Sequence, residues 1–543
     1  MIACRRILVT TLVGALCARA TIAQELPSAG ELEVQGATIS TILIDVEDIF
    51  DTTRPEEDKR LYRWANNVHL NTRTSVIESI LLFNEGDLLT EQILAESERL
   101  LRDQRFIADA WIETIEYDAE SNSAVVSVRA RDSWSLEPDI KLSRSGGENE
   151  YGIGFVEDNL FGLGKSMALS YSSDVDRDQR LFGYTDDNLF GSRKELAATV
   201  VDLSDGQQFA FRMGRPFYAF DTRWSVQSQV LNDKRIDSIY DLGETIDEFR
   251  HNTRFLTVHG GRSRGLVDGM TKRWLAGVSY EEDEFLPSPG FGDPLLLPEY
   301  RKLVYPWTAI HWIGDDFREV SELDDMGRTE DIALGLDLFA RIGVASPDFG
   351  SDRRSWLFDL SAERGWEPSG PGSLFQFAAS AETRYEHGDF RNTVVAISGR
   401  YLVRNFGDEL FLAGLRTVFS NALDAENQIL LGGDSGLRGF PLRYQSGEKS
   451  ILLTLEQRFY TDWYPFQLIR VGYAFFFDAG RVWDNDPRNT PNLGTLYNIG
   501  MGLRLTSPRS SGRSVVHLDL AFPINAPGDI DDIQIVVEKR SSF

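Results

Sequence analysis

The sequence contains almost no cysteine. Of its 543 residues only Cys4 and Cys17 are cysteines, and both lie within residues 1–23. That segment has two arginines near its start, then an apolar core, and ends on Thr21-Ile22-Ala23, which is the pattern of a secretory signal peptide removed on export. We therefore expect an exported mature protein without thiols or disulfides, whose stability has another source than the disulfides of many exported proteins.

Long hydrophobic runs, positive charge and histidine are also scarce. Beyond residue 23 no run of 18 apolar residues occurs, so no transmembrane helix is expected. Without the three arginines of residues 1–23, 53 Lys and Arg stand against 84 Asp and Glu, a net charge of −31. Such an acidic chain is poorly suited to bind nucleic acid. None of the six histidines is paired at metal-ligand spacing, so we expect no metal and no cofactor.

What the sequence has in quantity is glycine, 46 residues, and aromatic side chains, 11% of the chain. From Trp134 onward, alternating segments are separated by clusters of turn residues. The four clearest are 451–460, 469–480, 497–505 and 516–522. In the first three the odd positions are apolar and the even positions include charged side chains, whereas in 516–522 the even positions are apolar and the odd positions are polar. An alternation of period two indicates strands whose two faces meet different environments.

Two folds put strands between two environments, a soluble sandwich and a transmembrane barrel. The export signal, the segment length of about ten residues and the terminal aromatic Phe543 favour the barrel, with its apolar face to lipid and its polar face to a wet lumen. We therefore predict an all-β transmembrane barrel over residues 132–543. The expected number is about 16 antiparallel strands, and counts up to about 20 are compatible with the ambiguous segments.

The region before the barrel has a different pattern. Residues 24–36 are predicted to be a short linker, and residues 37–131 contain strand, helix, helix, strand and strand in that order. The longest helix is expected to begin after Thr90, whose hydroxyl can cap it, and to bury a stripe that includes Leu94 and Leu101. This order indicates one small α+β domain.

Several motifs together resemble one known family. The segment LLFNEGDLLTEQILAESERLLRDQRF, residues 81–106, resembles a polypeptide-transport-associated (POTRA) domain. Leu437-Arg438-Gly439-Phe440 is similar to the motif at the tip of the long sixth loop in BamA/TamA-like outer-membrane barrels. Phe476-Phe477-Asp478-Ala479-Gly480 and Glu456-Gln457-Arg458 are similar to strand motifs of the same family. The chain departs from the pattern at Leu437, where a β-branched residue is usual, and in having one evident POTRA domain.

The resemblance implies an outer-membrane barrel with 16 strands, five of them after the loop, and a POTRA domain in the periplasm. It further implies a protein that is not an enzyme and assists insertion or translocation of proteins. Its partners would be unfolded or nascent outer-membrane or secreted clients, outer-membrane lipids and possible accessory periplasmic proteins. Three alternatives stay open: a passive pore, a structural barrel, or a dedicated two-partner-type secretion pore.

The alternation gives the loop motif a physical reading. Asp478, Glu456 and Arg458 fall on the predicted lumen face, and Arg438 lies in a connection of roughly 27 residues, far longer than a hairpin requires. We predict a partly hydrated ion pair between Arg438 and Asp478, a sharp backbone turn at Gly439 and packing of Phe440 on the wall. The alternative is a solvated loop arginine and a water-facing Asp478.

The same loop contains a protease-like tetrapeptide, Gly433-Asp434-Ser435-Gly436. A serine protease site also needs a histidine oriented by a carboxylate and an oxyanion hole. No histidine of the sequence stands in an Ala-His-Cys context, and Leu437 and Arg438 follow where Gly-Pro is expected. We therefore predict no catalytic residue in this loop.

Overall fold

The computed structural model describes residues 26–540, except for residues 292, 293, 295, 371, 406, 408, 484–492 and 529. The predicted signal peptide, residues 1–23, and the predicted C-terminal barrel signal Phe543 lie outside the described residues. Among the described residues, no helix combines the length and the apolar character that crossing a membrane would require.

The first part of the chain is a small α+β domain, called the N-terminal domain below. Its elements are α1 (Ala29–Val34), β1 (Thr38–Glu47), α2 (Arg60–Val68), α3 (Thr74–Ile80), α4 (Glu91–Asp103), β2 (Ile107–Asp118) and β3 (Ser123–Asp132). The three strands form one sheet in the order β1-β3-β2, with β1 parallel to β3 and β2 antiparallel to it. The helix α2 adds one element to the predicted order, and it lies in the charged insertion, where it is amphipathic and buries Tyr62 and Ala65.

One apolar core holds the N-terminal domain together. As the sequence predicts, the Thr90 hydroxyl caps α4 by accepting a hydrogen bond from the Ile93 amide, and Leu94 and Leu101 are buried against the sheet. Residues 29–34 were expected to belong to a linker, but they form α1, and Leu32 is fully buried in this core. The expected linker is therefore partly a packed helix, which a single buried leucine in a short polar segment does not reveal.

From Leu136 to Arg540 the described chain is built almost entirely of strands. They are β4 (Leu136–Ser145), β5 (Glu148–Glu157), β6 (Lys165–Ser173), β7 (Asp178–Asp186), β8 (Glu195–Leu203), β9 (Gly206–Arg215), β10 (Trp224–Asp241), β11 (Glu244–Val267), β12 (Met270–Pro287), β13 (Arg301–Gly314), β14 (Phe317–Ser321), β15 (Thr329–Ala333), β16 (Asp337–Ala345), β17 (Ser355–Trp366), β18 (Ser373–Glu386), β19 (Asp389–Asn405), β20 (Glu409–Asn421), β21 (Ile429–Leu431), β22 (Gln445–Gly447), β23 (Lys449–Tyr460), β24 (Arg470–Trp483), β25 (Leu496–Thr506), β26 (Val515–Pro523) and β27 (Gln534–Arg540).

These strands close into an antiparallel barrel, as predicted. In the described chain the barrel has 20 strands, which is the upper end of the expected range and four more than the 16 that the resemblance implied. Six strands of nine or ten residues, β4 to β9, precede the long strands, and residues 242–243 divide an ambiguous charged segment into β10 and β11. Short strands joined by tight hairpins leave few turn residues by which a sequence can separate them.

The remaining four strands are not part of the barrel sheet and form two small hairpins, β14–β15 and β21–β22. The first lies between β13 and β16, at the end of the barrel that carries the N-terminal domain, which we call the proximal end. The second lies between β20 and β23, at the opposite or distal end. Five barrel strands follow this second connection, as the resemblance implied.

The outer surface of the barrel is apolar. Outward positions of the last strands include Phe475, Met501 and Ile535, each about half exposed, whereas their sequence neighbours Phe476 and Val536 are buried. An exposed apolar face on a closed barrel is the arrangement that lipid stabilises.

This arrangement predicts the outcome of cysteine labelling. We expect Phe475→Cys and Leu503→Cys, both on the outward face, to be protected from a membrane-impermeant maleimide in reconstituted vesicles and to react after detergent is added. Glu244→Cys, at an exposed position next to a hairpin turn of the distal end, is the matched control and should react at once. Rapid labelling of Phe475→Cys in intact vesicles would contradict a lipid-facing surface.

The N-terminal domain contacts the proximal turns of the barrel directly. Arg99 of α4 donates a hydrogen bond to Asp315 at 2.8 Å, and Arg509 of the β25–β26 turn forms an ion pair with Glu57. On another side, the Asn159 side chain donates to the Thr72 hydroxyl at 2.8 Å. Contacts to several different turns fix the domain against the barrel mouth.

Candidate functional site

The long connection between β20 and β23, residues 422–448, folds into the barrel. Its middle is fixed by two apolar side chains, Leu437 and Phe440, which have no exposed surface. They pack with Leu431 and Tyr444 of the same loop and with the wall residue Val482. Burial of this small cluster places the residue between them, Arg438, deep in the lumen.

The Arg438 guanidinium lies among three carboxylates. Its Nε and Nη2 donate to the two oxygens of Asp478 at 2.8 and 2.9 Å, which is a bidentate ion pair. Its Nη1 donates to Glu456 and to Asp519, both at 3.1 Å. The guanidinium carbon also lies 3.3 Å from the centre of the Phe476 ring, so a cation–π contact covers one face of the group.

Neighbouring strands supply the partners of Arg438 at one level of the lumen. Glu456 is on β23, Asp478 on β24, Asn498 on β25 and Asp519 on β26. Asp478 pairs directly with Asn498 in the strand register, and the Asn498 amide donates to Asp478 at 2.8 Å. The strand register therefore concentrates acceptors on the wall opposite the loop tip.

Two further arginines complete this cluster, which we call the luminal charge cluster: Arg438, Arg458, Arg504, Glu456, Asp478 and Asp519. Arg458 donates to Glu456 at 3.0 Å, and Arg504 contacts Glu456 at 3.2 Å and also forms an ion pair with Asp519. Each of the six side chains is at least 96% buried. Three positive and three negative groups balance, which is the condition under which buried charges are tolerated.

The structure brings the sequence-predicted site residues together. Arg438 contacts Asp478, Glu456 and Phe476, and Arg458 joins the cluster through Glu456. The pair was expected to be partly hydrated, and this is wrong, since Arg438 has 1% of its surface exposed and Asp478 none. The loop tip excludes water because Leu437 and Phe440 pack on both sides of the arginine.

Glycine has a different role at the tip from the one predicted. A sharp turn was expected at Gly439, but the left-handed backbone lies at Gly436, where φ is 106°. Gly439 is required by close approach instead, because a Cβ there would lie 2.6 Å from the Asn498 Cβ. The Gly439 amide donates to the Asn498 side chain at 3.1 Å. At Gly480 a Cβ would similarly meet the Leu431 side chain at 2.6 Å.

The sequence did not single out Asp519, Asn498 or Arg504 as partners. Each of them alternates with apolar neighbours on its strand, Asn498 and Arg504 at even positions and Asp519 at an odd position, which puts all three on the lumen face; this was the available signal. Alternation gives the face of a strand but not the height along the barrel axis, which depends on the register of each pair.

The protease-like tetrapeptide forms a turn. The Ser435 hydroxyl accepts a hydrogen bond from the Gly432 amide at 2.7 Å and contacts the Gly432 carbonyl at 3.3 Å. Among the described residues, no group of three or more His, Cys, Asp or Glu side chains is placed to hold a metal ion.

A cavity of about 1640 Å³ lies beside the loop in the lumen. It is bounded on one side by Asp434 and Arg438 and on the other by small side chains of β17 to β19, including Ser361, Ala378 and Ser398. The loop therefore fills the barrel only in part.

A closed antiparallel barrel with an apolar exterior and a loop anchored in its lumen by a buried arginine is a plugged membrane β-barrel. Comparison with known families places this barrel more closely. Residues 341–538 match the Omp85 superfamily domain. This region contains the loop and the luminal charge cluster, and the match confirms the resemblance predicted from the sequence.

Three solved structures are similar to the chain. They are BamA from Haemophilus ducreyi lacking POTRA domains 1–3 (12% identity, 92% of this chain and 84% of that chain, TM-score 0.38), CdiB from Acinetobacter baumannii (12%, 93% and 73%, 0.40) and CdiB from Escherichia coli (14%, 92% and 76%, 0.44). The comparison with curated proteins found no match.

Proposed function

We propose that the protein assists the insertion or translocation of other proteins at the bacterial outer membrane, without breaking covalent bonds. The N-terminal domain would be a POTRA domain in the periplasm, and the distal end of the barrel would face the cell exterior. Its partners would be unfolded or nascent outer-membrane or secreted proteins, outer-membrane lipids and accessory periplasmic proteins. The observation that supports insertion is the weak pairing between the first and last strands of the barrel, β4 and β27.

That closure depends on very little hydrogen bonding. Neighbouring barrel strands elsewhere share between 7 and 18 register pairs, whereas among the described residues β27 and β4 share one, Val537 with Arg144. The Ser143 hydroxyl adds one hydrogen bond to the Val537 carbonyl at 2.8 Å. Two strand edges that are hardly paired can separate at low cost and accept a client strand by backbone hydrogen bonding.

The N-terminal domain offers a first binding site for such a client. Its sheet order leaves β2 at an edge, without a second strand neighbour among the described residues. The edge carries outward charges such as Glu113 and Glu116, which disfavour uncontrolled pairing between copies of the domain. An extended client segment could add to this edge and then pass to the barrel seam.

A disulfide across the seam tests the proposal. In Arg144→Cys/Val537→Cys, which joins direct register partners, we expect oxidation to stop assembly of outer-membrane client barrels and a reductant to restore it. The matched control is Arg144→Cys/Asn149→Cys, which joins β4 to β5 at a seam that already has ten register pairs. The readout is the amount of folded client barrels in reconstituted vesicles.

The alternatives give different results in the same experiment. Normal assembly with the seam locked would contradict insertion through β4 and β27. Loss of one secreted product with unchanged barrel assembly would support a dedicated secretion pore, for which the luminal cavity is the observation in favour. If neither changes and only solute flux depends on the protein, it is a passive pore.

A further inference from the structure

The connection between β13 and β16 is unusually long for its end of the barrel. It has 22 residues, 315–336, whereas the other proximal connections have at most nine in the described chain. Its middle forms the hairpin of β14 and β15, with five register pairs from Phe317–Ala333 to Ser321–Thr329. A tight turn would suffice to join two neighbouring antiparallel strands, so the additional residues have another role.

The tip of this hairpin enters the lumen. Leu323 is 6% exposed and packs, together with Ile332, on four leucines of the inner wall: Leu374, Leu402, Leu410 and Leu412. These wall residues lie on β18, β19 and β20, where Leu402 is the register partner of both Leu374 and Leu412. Such an apolar patch would face water in an open lumen, so the hairpin covers a surface that water disfavours.

Polar contacts fix the tip to the same wall. Arg400 of β19 holds the Asp324 carboxylate with two hydrogen bonds, of 2.9 and 2.7 Å. Arg458 of β23 donates to the Leu323 carbonyl at 2.9 Å. Because Arg458 also binds Glu456, the hairpin tip is connected to the luminal charge cluster that holds the distal loop.

The base of the hairpin is held by the N-terminal domain. Arg102 of α4 forms a bidentate ion pair with Asp331 of β15, at 2.8 and 2.7 Å, and donates to Glu319 of β14 at 2.7 Å. The Thr329 hydroxyl donates to Asp109 of β2 at 3.0 Å. Burial lowers the Arg102 pKa, but its contacts with Asp331 and Glu98 outweigh this and raise the pKa above the ordinary value.

A hairpin of two five-residue strands is at best marginally stable alone in water. Its place therefore depends on the luminal wall at one end and, at the other, on Arg102 and on the β25–β26 turn, whose Pro508 and Ser510 carbonyls accept hydrogen bonds from Arg328. We infer that residues 317–333 are a removable plug that closes the proximal mouth of the barrel, and that Arg102 of the N-terminal domain is the latch that keeps the plug in place. This goes beyond the proposed function and does not depend on it, since closure of the lumen requires no client.

Ion conductance of the full chain in planar lipid bilayers tests the inference. We expect the wild type to open rarely and Arg102→Ala to raise the open probability about tenfold or more, because Asp331 loses its buried partner. Replacing residues 318–332 by a four-residue Gly-Asn linker should leave the mouth permanently open. The matched control is Arg193→Ala, which removes hydrogen bonds from the β7–β8 turn to the Ile80 and Leu81 carbonyls of the N-terminal domain and whose contacts among the described residues do not include the plug.

Two outcomes would overturn the inference. If the shortened variant conducts no more than the wild type, the distal loop alone closes the lumen and the hairpin is not a plug. If Arg193→Ala opens the barrel as much as Arg102→Ala, general docking of the N-terminal domain closes it, and Arg102 is not a latch. The heat-induced shift of the folded barrel in gel electrophoresis shows for each variant whether it has folded.

Thiol labelling gives a second measurement that does not require deletion of the hairpin. A cysteine replacing Leu323 should react slowly with a maleimide added from the proximal side, and at least about tenfold faster when Arg102→Ala is combined with it. Asp103→Cys, at an exposed position of α4, gives the rate of an accessible thiol. If Leu323→Cys reacts as fast as Asp103→Cys in the wild-type background, the tip is not in the lumen and the inference is wrong.

Discussion

Arg438→Ala is expected to release the loop of residues 422–448 from the lumen and to lower the thermal midpoint of the folded barrel. The change leaves Asp478, Glu456 and Asp519 buried without the guanidinium that they share. Removing one partner of a buried ion pair costs about 3–5 kcal/mol, far more than the loss of a hydrated surface pair. The measurements are the thermal midpoint in detergent micelles and the labelling rate of an added Leu437→Cys, at a position of the loop that is fully buried in the wild type.

A graded series distinguishes this cause from general loosening. Asp478→Asn should be milder than Arg438→Ala, because Glu456 and Asp519 still bind the Nη1 atom. Arg438→Lys should rescue poorly, since an ammonium cannot form the bidentate pair with Asp478 and the contacts to the other carboxylates at once. Client assembly should fall in the same order as the thermal midpoint.

Arg443→Ala is the matched control in the same loop. Its guanidinium binds both oxygens of Asp176, at 2.8 and 2.5 Å, and lies over the Tyr240 ring, but Arg443 and Asp176 are both partly exposed, so the loss should be about 1–2 kcal/mol and smaller than that of Arg438→Ala. Equal effects of Arg438→Ala and Arg443→Ala would show that the deep position of Arg438 has no special importance. Ser435→Ala should have no effect on assembly, because Ser435 only closes a turn.

Alternation in the sequence is enough to place the central residues of the site. The odd and even faces of residues 451–460 and 469–480 put Glu456, Arg458 and Asp478 in the lumen, where the structure has them. The same rule puts Asp519 on the correct face, but no local signal shows that it stands level with Arg438. The height of a residue along the barrel axis depends on the shear of the whole barrel, and the register of every strand pair between the two residues contributes to it.

The plug could not be recognised from the sequence for a related reason. Residues 317–321 and 329–333 have the composition of short strands, and nothing local separates a strand of the wall from a hairpin inside the mouth. Arg102 is 229 residues from Asp331, so their ion pair has no sequence spacing to mark it. The number of barrel strands could not be fixed from the sequence for the same reason, because each short segment has to be assigned either to the wall or to a connection.

Glu456 is the residue at which the distal loop and the proximal hairpin meet. It binds three arginines: Arg438 of the loop, Arg458 and Arg504. Arg458 in turn donates a hydrogen bond to the Leu323 carbonyl of the hairpin. Glu456→Ala leaves three neighbouring buried guanidinium groups with one carboxylate fewer, so repulsion adds to the lost contacts. We expect a loss of stability of about 3–5 kcal/mol, at least as large as that of Arg438→Ala.

This variant should also loosen both inserted segments at once. In Glu456→Ala the labelling rates of Leu323→Cys and of Leu437→Cys, both at buried positions and measured separately, should both rise. Glu456→Asp keeps the charge but shortens the side chain, so it should give intermediate rates. Glu363→Ala, which removes an exposed carboxylate of the cavity lining, is the control for a change in luminal charge. If only the loop position becomes reactive, the hairpin is held independently by Arg400 and the leucine patch, and Glu456 does not connect the two ends of the barrel.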